Sequence, residues 1–420
     1  MSKKAFVIFI IFILIVMGIL GWYFFVRTSG VPSTDTKTAD SAYSDLFPFG
    51  KKPAGTEMES NGGGLVTTPS DKQNQTVDLG GARGSEEVLP RLRQVSTVPT
   101  AGAVVFDVGS TTLIRYIERA TGHINETTGD TLVIKKISNT TIPKIHETPW
   151  SSDGTKLLVR YVKDDSSTIR TFYAKVATTT RPEQAIEGIF LADGIREISV
   201  SGSKIFYMTE VGSGSNGILA NVDGSNKTPV FNSSFSDWRA SLSSPVGAVV
   251  FTRPSGISEG SAYVLNITNG SYSKIAVDLP GIVALGNVDN SRVLISATQS
   301  QRLVTIAFNS KENTKENLGI QTIADKCVWS AKNKNIVFCA VPRFLPNAVY
   351  PDDWYKGKIS FDDSLWKIDT ASGETENLFD PELEAGVSMD MIKLSFDQNE
   401  NFIIFTNKKD MTVWVYNLKP

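Results

Sequence analysis

Trp150-Ser-Ser-Asp-Gly-Thr-Lys-Leu-Leu-Val-Arg-Tyr161 decides how the rest of the chain is read. Asp153-Gly154 beside an apolar run is a strong hairpin signal, because a type I′ turn needs positive φ at both central residues. Degenerate copies of the apolar strand recur at Ala103–Phe106, Ile205–Met208, Val249–Thr252, Val293–Ser296, Ile336–Cys339 and Phe402–Phe405. Their starts lie 54, 48, 44, 44, 43 and 66 residues apart. Most of these spacings match the blade period of β-propellers, about 40–50 residues. A second hairpin follows in most units, at Ile117–Gly122, Asn221–Gly224, Ile267–Gly270 and Ile368–Gly373, each joining an apolar strand to a more polar one. Seven units of four strands predict an all-β fold, a seven-bladed β-propeller. Two stacked β-sandwiches would also repeat hairpins, but without a blade period.

The two ends of this region fit one another. Thr412-Val-Trp-Val-Tyr-Asn-Leu418 reads as a third strand lacking its fourth, and Leu89-Pro-Arg-Leu-Arg-Gln-Val-Ser96 has the character to supply it. Pairing them would cover an open sheet edge and lock the ring.

Composition narrows the function classes. The 420 residues carry 42 Lys and Arg against 44 Asp and Glu, a net charge of −2, which leaves no electrostatic footprint for nucleic acid. Two cysteines exclude a disulfide-rich scaffold and a Cys-based structural zinc site. Two histidines leave little room for His-dependent chemistry.

Residues Ala5 to Val26 form 22 consecutive uncharged positions rich in Ile, Phe, Leu and Val. At 1.5 Å per residue such a helix is roughly 33 Å long, enough to cross a hydrocarbon core of about 30 Å. Lys3 and Lys4 precede the run and predict a cytoplasmic N-terminus, with Trp22 and Tyr23 at the outer interface. A cleaved signal peptide would have a shorter apolar run and a small-residue cleavage site. The expected organisation is an anchor at 1–27, a flexible Ser/Thr/Gly-rich linker at 28–88, and a propeller at 89–420. Within the linker, Tyr43-Ser-Asp-Leu-Phe-Pro-Phe-Gly50 is a cluster of aromatics that suits docking, onto the chain itself or onto a partner.

Motifs for chemistry are sparse. Gly256-Ile-Ser-Glu-Gly260 matches the nucleophile-elbow pattern, but it falls in a predicted loop between strands, and both His123 and His146 precede it. No phosphate-binding loop, His-Glu-x-x-His pair or complete Ca²⁺ loop occurs, so the sequence calls for no cofactor and no metal. Cys327 and Cys339 lie symmetrically about Asn333 in a predicted hairpin, which would set them opposite each other on adjacent strands. They form either a disulfide or two buried thiols, and both roles are structural.

The last spacing of 66 residues holds an insertion, Pro342 to Trp366, expected to project from one face of the ring. It concentrates Phe344, Tyr350, Trp354, Tyr355 and Phe361 with Asp352, Asp353, Asp362 and Asp363. Tyr350, Asp352, Asp353, Trp354, Tyr355 and Phe361 make up the candidate binding loop, since ring faces supply area and carboxylates supply direction. The alternative is that the rings plug the loop onto the blade and the acids cap its turns.

The hairpin Trp150-Ser-Ser-Asp-Gly-Thr-Lys-Leu157 resembles the inner hairpin of TolB-type and WD-repeat-like β-propellers, although the Trp-Asp dipeptide of true WD repeats is missing. With Leu46-Phe-Pro-Phe-Gly50, Arg91–Ser96, Glu118–His123 and Tyr350-Pro-Asp-Asp-Trp-Tyr355, the chain also resembles single-pass, membrane-anchored bacterial propeller proteins that carry no assigned activity. The resemblance covers most of the chain after residue 40. It implies a fold and a location and transfers no catalytic residue.

The sequence is therefore read as a membrane-tethered, extracytoplasmic propeller that binds a protein or cell-envelope partner without catalysis. The alternative from another class is a hydrolase or lyase acting on envelope polymer across the propeller face.

Overall fold

The computed structural model describes residues 89–131, 133–163, 168–176 and 186–419. The expected anchor and linker lie outside them. Among the described residues no helix is long and apolar enough to cross a membrane.

Among the described residues, twenty-eight strands form seven antiparallel four-stranded sheets, the blades of a propeller. Strand β1 (Leu92–Gln94) precedes blade 1, which is β2 (Thr100–Val108), β3 (Thr111–Glu118), β4 (Ile124–Thr128) and β5 (Lys135–Ser138). Blade 2 is β6 (Ile145–Glu147), β7 (Lys156–Val162), β8 (Ile169–Val176) and β9 (Ile186–Phe190). Blade 3 is β10 (Ile195–Ser201), β11 (Lys204–Val211), β12 (Gly214–Asn221) and β13 (Thr228–Ser233). Blade 4 is β14 (Trp238–Ser244), β15 (Gly247–Thr252), β16 (Glu259–Asn266) and β17 (Tyr272–Pro280). Blade 5 is β18 (Val283–Gly286), β19 (Arg292–Gln299), β20 (Arg302–Asn309) and β21 (Thr314–Asn317). Blade 6 is β22 (Cys327–Trp329), β23 (Ile336–Pro342), β24 (Asp363–Asp369) and β25 (Thr375–Phe379). Blade 7 is β26 (Met391–Phe396), β27 (Phe402–Asn407) and β28 (Thr412–Asn417), completed by β1.

The ring closes through its two ends. Leu92, Arg93 and Gln94 pair with Tyr416, Val415 and Trp414, and the Ser96 hydroxyl accepts the Val413 N–H at 2.8 Å. The free edge of β28 is thereby covered.

The repeat is visible in the backbone. Before the second strand of blades 2, 5 and 7 the same turn occurs. Ser151, Asn287 and Asp397 each donate their N–H to the carbonyl five residues on, of Lys156, Arg292 and Phe402. Their side-chain oxygens accept the N–H of those same residues at 3.0, 3.2 and 2.6 Å. This local geometry explains why Ser, Asn and Asp mark the hairpin. Of Asp153 and Gly154, only Gly154 has positive φ, +65°. The turn is therefore not type I′ but a longer one ending in a left-handed glycine. A Cβ on Gly154 would lie 2.2 Å from the Phe106 ring of blade 1, so the residue serves blade packing as well.

One register expectation is corrected. Ala103–Phe106 belongs to β2, the first strand of its blade, whereas the other copies fall in second strands. The turn at Glu118–Gly122 accordingly joins β3 to β4 rather than a third strand to a fourth. Placing the second strand of blade 1 at Thr111 brings the long first spacing into line with the others.

The core lies between blades. Phe106, Trp150 and Leu157 pack blade 1 on blade 2; Leu158, Ile205 and Tyr207 pack blade 2 on blade 3; Ile403, Phe405 and Phe379 pack blade 6 on blade 7. The largest cluster spans blades 4 to 6 and takes in Tyr350, Trp354 and Phe361 of the insertion.

Candidate functional site

The insertion does not stand off the ring. It folds down across blades 4 to 6 through a short helix, α1 (Asp352–Tyr355). Tyr350, Trp354 and Phe361 retain only 4%, 3% and 1% of their exposure, and Phe361 stacks with both other rings at 6.1–6.2 Å. Their area is spent on the core. The Tyr350 carbonyl accepts from Thr298 Oγ1 at 2.9 Å and lies against Gly256 and Gly281, where a Cβ would approach it to 2.2 and 2.7 Å. Asp352 Oδ2 accepts the Gly256 N–H at 2.6 Å, which ties the insertion to the loop between β15 and β16. That loop is the Gly256–Gly260 pattern, here a clasp. Asp353 accepts the Val349 N–H and pairs with Lys358, and these contacts hold its carboxyl below the usual range. Of the six loop candidates, Asp352 and Tyr355 line the cavities described below.

Cys327 and Cys339 are joined as a disulfide, their Cα atoms 4.1 Å apart on directly opposed positions of β22 and β23.

Tyr355 leads to the channel mouth. Its hydroxyl donates to Asp325 Oδ2 at 2.6 Å, and its ring lies 5.5 Å from the Arg239 guanidinium. Arg239, on the first strand of blade 4, sits 3.5 Å from Glu197 and 3.8 Å from Asp325. Arg160 pairs with Glu147 and donates to the carbonyls of Ile195 and Arg196 at 3.0 and 2.9 Å, bridging blades 2 and 3. Tyr355, Arg239, Glu197, Arg160 and Glu147 line a cavity of about 930 Å³.

Electrostatics divides the carboxylates. Burial pushes Glu197 up, and the charges of Glu147 and Asp325 add to this against the pull of Arg239 and Arg160. Burial would also raise Glu147, but Arg160 and then Lys393 overcome it and hold Glu147 low. Burial alone would lower Arg239, yet Asp325, Tyr355 and Glu197 together keep it raised. Burial raises Tyr355 well above its ordinary value, with Asp325 reinforcing it. His146 lies on β6 and lines this cavity; burial lowers it.

A second cavity of about 940 Å³ adjoins the first and shares Asp237, Trp238, Arg253, Asp352 and Lys356 with it. Its floor is aromatic. Phe231 meets Trp238 edge-on at 5.2 Å, Trp238 lies 5.9 Å from Tyr263, and Tyr263 meets Tyr272 at 5.7 Å. Trp238 is 8% exposed, and its indole N–H is buried with no acceptor. Phe235 stands at the rim, 69% exposed. The two cavities make one groove, aromatic at one end and charged at the other. It suits a ligand with both an apolar and an ionic part. None of the four floor aromatics was a sequence candidate, since they come from four strands of two blades. Among the described residues, no three His, Cys, Asp or Glu side chains converge to hold a metal ion.

No protein-family model and no curated protein matches the chain. Several solved structures are similar to it. An oligogalacturonate lyase from Vibrio parahaemolyticus is 9% identical over 80% of this chain and 95% of that one, with a TM-score of 0.49. The β-propeller domain of the Trilobed protease from Pyrococcus furiosus is 11% identical over 76% and 96%, with a TM-score of 0.47. TolB from Acinetobacter baumannii is 13% identical over 63% and 62%, with a TM-score of 0.42. The likeness is one of fold.

Proposed function

We propose that the chain is a single-pass, N-in/C-out membrane protein whose extracytoplasmic propeller binds a protein or cell-envelope partner without catalysis. The observation that carries this reading is the groove across blades 3 and 4, where exposed and half-buried aromatics run into a mouth of paired charges. Such a surface gives an anchor for an apolar side chain and direction for a charged one. The apolar run Ala5–Val26 supports the tether, and the bonded Cys327–Cys339 pair suits an oxidising compartment. Tethering raises the effective concentration of the groove for partners at the same membrane.

The test is co-purification of the full chain in mild detergent. One envelope component should recur with the native protein and be lost with Tyr272→Ser. Equal recovery with both overturns the assignment to the groove.

One observation favours the rival reading. Glu197 and Glu147 face one cavity with their proton affinities pushed apart, the pattern an acid and a base require. Turnover of an anionic polysaccharide by the native chain, abolished by Glu197→Gln, would establish a lyase or hydrolase in place of a binding module.

A further inference from the structure

Between blades 6 and 7 lies a lysine with no solvent exposure. Lys326 ends a 3-10 turn (Ala324–Lys326), and its ammonium meets two carboxylates: Asp363, the first residue of β24, and Asp390, just before β26. All three side chains are fully buried. Asp363 Oδ2 is 2.8 Å from Nζ, Asp390 Oδ1 is in direct contact, and the Met391 carbonyl accepts at 3.1 Å. The Trp354 and Phe361 rings cover Nζ at 5.1 and 5.2 Å.

Two features exceed what an ion pair needs. The far oxygen of Asp390, Oδ2, accepts from Trp354 Nε1 at 2.9 Å, Ser360 Oγ at 3.1 Å and the Phe361 N–H at 3.1 Å. Three convergent donors on one carboxyl oxygen have the form of an oxyanion hole. Asp363, by contrast, accepts the Met391 N–H on Oδ2 at 2.6 Å, while its Oδ1 is buried without a partner. A carboxyl so placed carries a proton readily. Burial raises it to about 6, with Lys326 opposing and Asp390 adding to the effect.

We propose that Lys326 and Asp390 condense within the folded chain into a side-chain amide, with Asp363 as the proton carrier. Lys326 Nζ attacks Asp390 Cγ, and charge developing on Oδ2 is met by the three donors. The Nζ–Cγ bond forms and the Cγ–Oδ1 bond breaks. Asp363 relays two protons in turn from the ammonium to Oδ1, which leaves as water. The nitrogen keeps one hydrogen, Asp363 ends as it began, and no oxidant, reductant or co-reactant takes part. Proximity replaces a bimolecular encounter, and the reaction removes two charges whose burial is costly. The product is a covalent brace between blades 6 and 7, beside the disulfide of blade 6.

The experiment is mass spectrometry of the full chain purified in detergent, with the disulfide reduced. The native chain should weigh less, by one water, than expected from the Lys326→Met variant after allowing for the substitution. Its digest should contain a branched peptide joining Lys326 to Asp390, absent from Asp363→Ala. A folded native chain of full mass overturns the proposal, as does a water loss that maps elsewhere. The native measurement decides the matter even where Asp363→Ala does not fold.

Discussion

The two sides of the ring differ in how completely their buried polar groups are paired. Across blades 5 to 7, the carboxylates of the insertion and its neighbours find donors: Asp352 takes Gly256 N–H, Asp353 takes Val349 N–H, and Asp390 takes three donors besides Lys326. Among the described residues, most buried side-chain polar atoms without a partner lie across blades 2 to 4, among them Trp150 Nε1, Arg160 Nε, Thr171 Oγ1, Trp238 Nε1 and Ser243 Oγ, whereas Asn290 Oδ1 and Asp363 Oδ1 are the ones on blades 5 and 6. An unmade hydrogen bond in a buried site costs about 1–3 kcal/mol. The insertion, rich in aromatics, is a brace. The groove, assembled from ordinary strand residues, is the surface proposed to bind.

Four outcomes would sharpen or break this contrast. Trp354→Ala should cost about 3–5 kcal/mol in denaturant unfolding, because it empties a core position and removes a donor to Asp390. An unchanged midpoint would return the loop to the surface. Replacing Cys327 and Cys339 by serine should cost about 3 kcal/mol for a closed segment of 12 residues, and reductant should lower the melting point of the native chain alone.

The pH response should differ in sign between two buried carboxyls, Asp363 on one side and Glu147 on the other. Asp363 has a folded value raised to about 6, so it binds its proton more tightly folded than unfolded. Its contribution favours folding below about 6 and is lost as pH rises through that value. Glu147 is held low, so its contribution is present above the ordinary glutamate range and is lost as pH falls. Asp363→Asn should therefore flatten a gain in stability seen in the native chain between about pH 7 and 5. A native curve with no such gain would contradict the raised carboxyl. The smallest effect on stability belongs to Tyr272→Ala, within about 0.5 kcal/mol of native, although co-purification of the partner should fall.

Much of the fold was legible because its signals are local. The apolar strand recurring every 43–54 residues and the Asp153-Gly154 turn beside it are written in consecutive residues, although the type of that turn was misread. Ring closure was legible for the same reason, since a lone strand at each end implies a partner. The phase of blade 1 was misread because β2 is as apolar as a second strand, and strand character alone does not number the strand. The setting of Tyr350, Trp354 and Phe361 depends on Gly256, Gly281, Lys326 and Asp390, distant in sequence. An aromatic beside a carboxylate reads alike in a plug and in a recognition loop. The groove was illegible for a related reason. Phe231, Trp238, Tyr263 and Tyr272 each fit normal strand alternation, and only the packing of blade 3 on blade 4 gathers them.

Two exposed phenylalanines offer the most direct test, because they differ in place and little else. Phe235 rims the groove at 69% exposure, and Phe344 stands on the insertion at 76%. A photoreactive residue placed at each in turn, in cells, reports what each surface touches. One envelope component should be captured repeatedly from position 235 and not from position 344. Capture of that component from 344 and not from 235 would contradict the assignment to the groove.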